Sequence, residues 1–313
     1  MKGKVLVTGG SGFIGSHLVE KLAEKPEIEV VVYDIRAKAN HEGKVVYRNG
    51  DILNLDELVR VIRDEEISSI VHMIGRASVP DCRSDPNKSF SLNVMSVQVV
   101  LEAMRRSDVK GLVFPSTAAV YGQTNGPQIN EGALTRPTTV YGYHKLAAES
   151  LIRGYAEEYN LDTIILRLFN VYGDLEKEQG VLSVFVKSAL VRKPLIVKGG
   201  KQLRDFVHVN DVVECFVKAL DIDADFDQPI NIGSGVGVSI EEIAEMVQQS
   251  FPDVKIKTEK AGEREYSIYA NTLRLERLLG CEVTPPKKGI PRFIESCKSD
   301  HMNRESESSR VTR

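Results

Sequence analysis

The chain has 313 residues, 42% hydrophobic and 27% charged, enough for one large α/β domain or two smaller ones with a real core. A formal net charge of -3 and a pI near 6.1 give no basic field for nucleic acid, and apolar runs such as 163–168 are far too short to span a bilayer. Cys82, Cys215, Cys281 and Cys297 form no Cys-x-x-Cys pair and the six histidines no His-Glu-x-x-His, so neither a disulfide framework nor a metal site is expected.

The opening "MKGKVLVTGG" enters a strand after four residues, leaving no room for a signal peptide, and a cytoplasmic location is expected. Apolar runs of strand length follow at 4–8, 30–34, 45–47, 69–73, 111–115 and 163–168, most of them trailed by a helical period. That alternation favours a doubly wound parallel sheet covered by helices on both faces. Asn54 with Glu57, and later Ser239 with Glu242, read as capping boxes.

After Gly173 the pattern is less regular, with short elements separated by "KGGKQLRD" and "EKAGERE". "RDFVHVNDVVECFVKAL" and "PINIGSG" read as a strand, a helix and a strand returning to the main sheet. The expected organisation is therefore a nucleotide-binding α/β domain over 1–175, rejoined by 206–234, and a smaller C-terminal α/β substrate-binding domain from 176–205 and 235–297. From Lys298 the tail "KSDHMNRESESSRVTR" is nearly free of apolar residues, and disorder is expected over 298–313.

Three constellations carry chemistry. The first is "TGGSGFIG" (8–15), a glycine-rich turn between a strand and a helix, followed about twenty residues later by Asp34 at a second strand end. Such a turn lets backbone amides approach a phosphate at a helix N-terminus, although a tight turn without ligand would look similar. Asp34 would accept hydrogen bonds from ribose hydroxyls and repel an added 2′-phosphate, favouring NAD over NADP, with Arg36 tempering that choice. The second is "YGYHK": Tyr141 and Lys145 stand at i and i+4, where an ammonium beside a phenol favours the phenolate. By spacing alone the pair is also a common surface arrangement, and His144 falls on another helical face. The third is Ser116 and Thr117, two hydroxyls at the carboxyl end of a strand, where open α/β folds place ligands and where a turn cap is the bland alternative.

Taken in order, these motifs with "GDI" at Asp51, "HMIGRASV" (72–79), Asn93, "PSTAAVYG" (115–122), "RLFNVYG" (167–173) and "RDFVHVNDVV" (204–213) resemble the extended short-chain dehydrogenase/reductase family, and within it the nucleotide-sugar epimerases and dehydratases. The resemblance covers nearly the whole chain and implies a Rossmann-type fold. It further implies that Gly9, Gly12, Phe13, Ile14, Gly15, Asp34, Asp51, Ile52, Ile74, Gly75, Asn93, Tyr141 and Lys145 hold NAD, and that Thr117, Tyr141 and Lys145 are catalytic. Ser116, Thr117, Asn170, Arg204, Lys260 and Glu263 would meet the substrate. A homodimer joined through helices around 93–106 and 141–159 is implied as well.

Where the dehydratases carry an Asp-Glu pair after the threonine, this chain has Ala118 and Ala119, which cannot move protons. The reaction expected is therefore epimerisation at C4 of a UDP-hexose through a 4-keto intermediate, and small Ser267 leaves room for an N-acetyl group at C2. A nucleotide-sugar 4-keto reductase and a non-catalytic NAD-binding sensor are the competing readings.

Overall fold

The computed structural model describes residues 3–37, 43–173, 180–222, 228–260 and 266–311, with 304–311 as backbone alone. The first half runs β1 (Gly3–Thr8), α1 (Phe13–Ala23), β2 (Ile28–Asp34), β3 (Val45–Asn49), α2 (Leu55–Asp64), β4 (Ile67–His72), α3 (Val79–Ser84), α4 (Pro86–Phe90), α5 (Ser96–Ser107), β5 (Gly111–Thr117), β6 (Gln128–Ile129), α6 (Val140–Tyr159) and β7 (Asp162–Leu168). The second runs β8 (Asn170–Tyr172), α7 (Val181–Leu190), β9 (Leu195–Lys198), β10 (Leu203–His208), α8 (Val209–Leu220), β11 (Ile230–Ile232), β12 (Gly237–Ser239), α9 (Ile240–Ser250), β13 (Ile256–Glu259), β14 (Tyr269–Ala270), α10 (Leu273–Leu279) and α11 (Pro286–Val311).

Seven strands form one wholly parallel sheet in the order β3-β2-β1-β4-β5-β7-β11. Alternation along the strands sends Val5, Val7, Val30, Val32, Ile164 and Leu166 to one face, where Leu18 and Leu22 of α1 and Val212 and Phe216 of α8 cover them. Leu6, Val31, Tyr33 and Ile165 go to the other, against Leu58 of α2, Val100 and Leu101 of α5 and Ile152 of α6. Both faces are buried, which is why these strands read as unbroken apolar runs. The strand order reverses at the β1/β4 boundary, the switch point beyond whose strand ends open α/β sheets place their ligand crevice.

A second layer holds the sheets β12-β10-β8 and β13-β9, with α7, α9 and α11 around a separate core of Leu182, Phe185, Val197, Phe206, Ile243, Val247, Ile290 and Phe293. Of the segment expected to return to the main sheet, α8 and β11 do so. Its first strand, β10, does not: β11 takes the open edge of β7, and β10 pairs with β8 and β12 in the second layer.

Two local expectations are revised. The Asn54 side chain accepts from the Glu57 amide at 3.3 Å, but the Glu57 carboxylate accepts from Asn54 Nδ2 and not from its backbone, so this is a cap without the reciprocal bond. The polar segment from Lys298, expected to be disordered, continues α11 to Val311. Ile290, Ile294 and Cys297 anchor the first turns of α11 on the second core, which meets the cost of helix nucleation, and polar helix formers then extend it. Ser239 and Glu242 do form the full box, at 3.1 and 2.8 Å. Ser239→Ala should therefore cost about 1 kcal/mol, read as a lower chemical-denaturation midpoint with no change in fold.

Candidate active site

The turn after β1 is shaped by two glycines. Gly9 has φ +73°, and a Cβ on Gly15 would lie 2.3 Å from the Gly9 carbonyl oxygen, so only glycine lets α1 start this close to the strand end. Gly12 is the N-cap of α1 and offers no side-chain cap, and the first turn carries no acidic residue, so the amides of Phe13 and Ile14 face outward with the helix dipole behind them. Asp34, 7% exposed, ties this turn to β2 by accepting from the Ser11 amide at 3.2 Å and the Arg36 amide at 2.9 Å. Each of its oxygens retains a lone pair for a further donor.

Across the crevice, Ile74 lies against the same turn, since a Cβ on Gly9 would come within 2.9 Å of it. Asp51 is exposed just past the end of β3 and caps the Leu53 amide at 3.0 Å, while Ile52 is buried in the core. Asn93 stands behind the Gly75–Arg76 turn in a π-helical bulge. Its Oδ1 accepts from the Arg76 amide at 2.8 Å, and both Nδ2 protons are used, on the Arg76 carbonyl and Ser89 Oγ. At 1% exposure it shapes the turn.

Thr117 ends β5, and Tyr141 and Lys145 lie on the first turns of α6, whose N-cap Thr139 accepts from the Gly142 amide at 3.0 Å. A Cβ on Gly142 would be 2.7 Å from the Ala119 carbonyl oxygen. Its absence allows α6 to begin directly against the turn that follows Thr117, which brings the Thr117 hydroxyl close enough to the Tyr141 phenol to favour its ionised form. Burial pushes that phenol up to about 12, the Thr117 hydroxyl pulls against it, and the nearby Cys82 adds to the rise. Lys145 is 5% exposed with Nζ 4.0 Å above the centre of the Phe114 ring. Burial draws its ammonium down to about 7, against the opposing charge of Glu149. Behind it His72 is held neutral, its acid form shifted to about 3 by burial and by Lys145, with Nδ1 2.7 Å from Thr8 Oγ1.

Ser116 does not join this group. Successive strand residues face opposite ways, and its hydroxyl, 2% exposed, donates to Glu149 at 2.5 Å on the far side from Thr117. Asn170 and Arg204 are brought into one sheet, with Asn170 paired to Phe206 two residues beyond Arg204. Arg204 Nη1 donates to the Tyr266 carbonyl at 2.5 Å, and the guanidinium lies 5.3 Å from the Tyr266 ring centre. Lys260 is exposed just past β13, in a different sheet, and Glu263 lies outside the described residues. His144 pairs with Ser89 Oγ at 2.9 Å, away from the crevice. No group of three or more metal-ligating side chains occurs among the described residues, and no described helix is long and apolar enough to cross a membrane.

Gly142, Cys82, His72 and Glu149 contribute to this geometry without having been singled out in the sequence. Only Glu149 left a signal there, four residues beyond Lys145 on the same helical face.

Residues 5–233 match the model of the NAD dependent epimerase/dehydratase family. The chain is 30% identical to a UDP-glucose 4-epimerase of Halalkalibacterium halodurans, over 95% of each chain. Its fold is similar to that of the Thermus thermophilus UDP-glucose 4-epimerase, solved in complex with NAD, at a TM-score of 0.84 and 30% identity over 94% of this chain and 99% of that one. It is similar too to the Thermotoga maritima UDP-glucose 4-epimerase, solved with UDP-glucose, at a TM-score of 0.84 and 28% identity over 93% and 97%.

Because burial lowers Lys145, the folded chain without cofactor binds fewer protons there than the unfolded chain between pH 7 and 10.5. The contribution of this group to stability therefore rises as pH climbs through that window. Denaturation of wild type and Lys145→Met should show the variant ahead at pH 7 and its lead smaller at pH 9, by on the order of 2 kcal/mol. A lead independent of pH would mean that Lys145 stays charged.

Proposed function

The chain belongs to the NAD dependent epimerase/dehydratase family, and we propose that it is an NAD-dependent UDP-sugar 4-epimerase. The observation that carries this reading is the close approach of the first turns of α6, which bear Tyr141 and Lys145, to the end of β5 at Thr117, followed by an Ala118–Ala119 turn that holds no acid.

The residues present fit the cofactor: the Gly9–Gly15 cradle and the open α1 terminus suit a diphosphate, and Asp34 has acceptor capacity left for ribose hydroxyls. Once bound, NAD supplies a hydride acceptor at the sugar's C4 and gives the hydride back, leaving no net redox change. Tyr141 takes the proton of the C4 hydroxyl as C4 is oxidised and returns it when C4 is reduced. For this it must work well below the value near 12 that burial imposes; the Thr117 hydroxyl and the Lys145 ammonium are the groups placed to lower it. Once Tyr141 has taken up the C4 proton, the single hydroxyl proton of Thr117 is free to turn to the reacting oxygen, which gains charge as its proton leaves.

Asn170 and Arg204 hold the diphosphate while the keto-sugar turns to present its other face. Ala118 and Ala119 offer no acid or base to draw water from C5 and C6, so the keto-sugar can only be reduced back. Ser267 is small and its Oγ is turned back to accept from the Leu203 amide at 2.9 Å, which supports room for an N-acetyl group at C2. Exposed apolar side chains at Phe90, Met95, Tyr143 and Tyr159 support a homodimer through α4 to α6. Carbohydrate metabolism in the cytoplasm is the setting that the proposed activity implies.

Incubation of the purified protein with UDP-glucose, UDP-galactose, UDP-GlcNAc and UDP-GalNAc, without added reductant, should interconvert at least the first pair with no NADH accumulating. Consumption of NADH or NADPH on a 4-keto sugar would make it a reductase. Tyr141→Phe should lower kcat by about 10²–10⁴-fold while leaving NAD binding within about two-fold, measured by calorimetry; a variant as active as wild type would remove Tyr141 from the chemistry.

A further inference from the structure

The deepest charged group near the site is Glu149, with no exposed surface. Its two carboxylate oxygens accept four hydrogen bonds. Oε1 takes Ser116 Oγ at 2.5 Å and Arg167 Nε at 3.0 Å; Oε2 takes Arg167 Nη2 at 2.7 Å and Arg153 Nη2 at 2.9 Å. One side chain of α6 is thus bonded to the C-terminal ends of both β5 and β7. Arg167 carries the link onward, with Nη1 on the Glu131 carbonyl and its guanidinium 4.8 Å from the Tyr121 ring centre. The Tyr121 hydroxyl donates to Asn231 on β11, and the Asn231 amide donates to the Glu131 carboxylate.

This placement bears on all three catalytic residues. Tyr141, Lys145 and Glu149 follow at intervals of four on one face of α6, so the point where Glu149 is pinned fixes the height of the other two. Ser116 precedes Thr117 in an extended strand, so holding the Ser116 hydroxyl on the back of β5 turns that of Thr117 to the front. The groups around Lys145 are Tyr141 and Glu149 on its own helix, neutral His72 from β4 and the Phe114 ring from β5; Arg153 and Arg167 meet the carboxylate from its other sides. Glu149 is the anion in that set.

The geometry points to Glu149 as the positioning residue of this site: it locks the helix bearing Tyr141 and Lys145 to the strand end bearing Thr117, and its charge favours the ammonium form of Lys145. The inference rests on the epimerase reading for its kinetic consequence but not for its electrostatic one. A carboxylate used only to neutralise Arg167 would satisfy the same bonds without acting on Lys145, and this difference can be measured.

Glu149→Gln preserves shape and removes the charge. In full-length protein stripped of cofactor and carrying lysine labelled with carbon-13 at Cε, the Lys145 signal, assigned by its loss in Lys145→Met, should titrate with a midpoint lower than wild type by about one pH unit or more. Ser116→Ala keeps the charge and cuts the tether to Thr117. It should leave the Lys145 midpoint in place and lower kcat for C4 interconversion by about five-fold or more, with KM within about two-fold. An unchanged midpoint in folded Glu149→Gln overturns the proposal. If that variant does not fold, Ser116→Ala with wild-type kcat overturns it. A wild-type protein that interconverts no C4 pair would refute the epimerase reading, while the lysine titration, made without substrate, would still decide the role of Glu149.

Discussion

Parallel strands can be joined only by crossovers, and the helices of those crossovers must cover both faces of the sheet. Every strand then ends at one edge, and the features that matter here lie along it: Gly9 after β1, Ile74 and Gly75 after β4, and Thr117 closing β5. The reversal of strand order between β1 and β4 keeps that edge open, because the chains leaving those two strands diverge. What remains is to bring a helix side chain up to a strand end, and this depends on how closely α6 can approach. The missing Cβ of Gly142 sets that distance; any larger residue would push its N-terminus off the Ala119 carbonyl and carry Tyr141 away from Thr117.

The same edge concentrates groups that are costly to bury. A phenol, an ammonium and an imidazole are packed within two layers of side chain, and desolvation moves each toward its neutral form. The site is therefore poised between burial, which neutralises, and a few placed partners, which restore charge. The partners differ in kind. Phe114 offers Lys145 the negative face of a ring, which stabilises a cation without a counter-charge, whereas Glu149 and Arg167 form a full ion pair at 0% and 2% exposure. Buried pairs of this sort gain little net stability over apolar packing, but losing one partner is expensive because the other charge is left stranded.

The second layer is organised by another buried carboxylate. Asp205, 1% exposed, accepts from the Ser234 amide and hydroxyl, the Gly235 amide and the Ala270 amide, at 2.6 to 3.0 Å. It thus gathers β10, the turn after β11 and β14 at one point. Arg204 is its chain neighbour, and Ser267 bonds the amide of Leu203, so the residues that would meet the diphosphate and the C2 substituent are set by this junction and by β8 beside it. In the proposed reading the main sheet serves the cofactor and the small layer the substrate, and β11, which pairs with β7 just before that turn, ties the two layers together.

The sequence by itself determined the parallel sheet, since its unbroken apolar runs can be buried only between two helical layers; it also determined the glycine-rich turn after β1 and the shared helical face of Tyr141 and Lys145, because periodicity and glycine conformation are local properties. It offered Ser116 and Thr117 together as hydroxyls at one strand end, without deciding which of them faces the site. That was decided by Glu149, thirty-three residues later, through a contact no local pattern encodes. The 298–311 segment likewise reads as too polar to order itself, and its helix follows from anchoring at Ile290, Ile294 and Cys297. The charge state of the site is tertiary as well. An i,i+4 pair in water would simply be an ammonium and a phenol; burial beneath α6 raises the proton affinity of the phenol and lowers that of the amine, and Thr117 on one side and Glu149 on the other oppose those shifts.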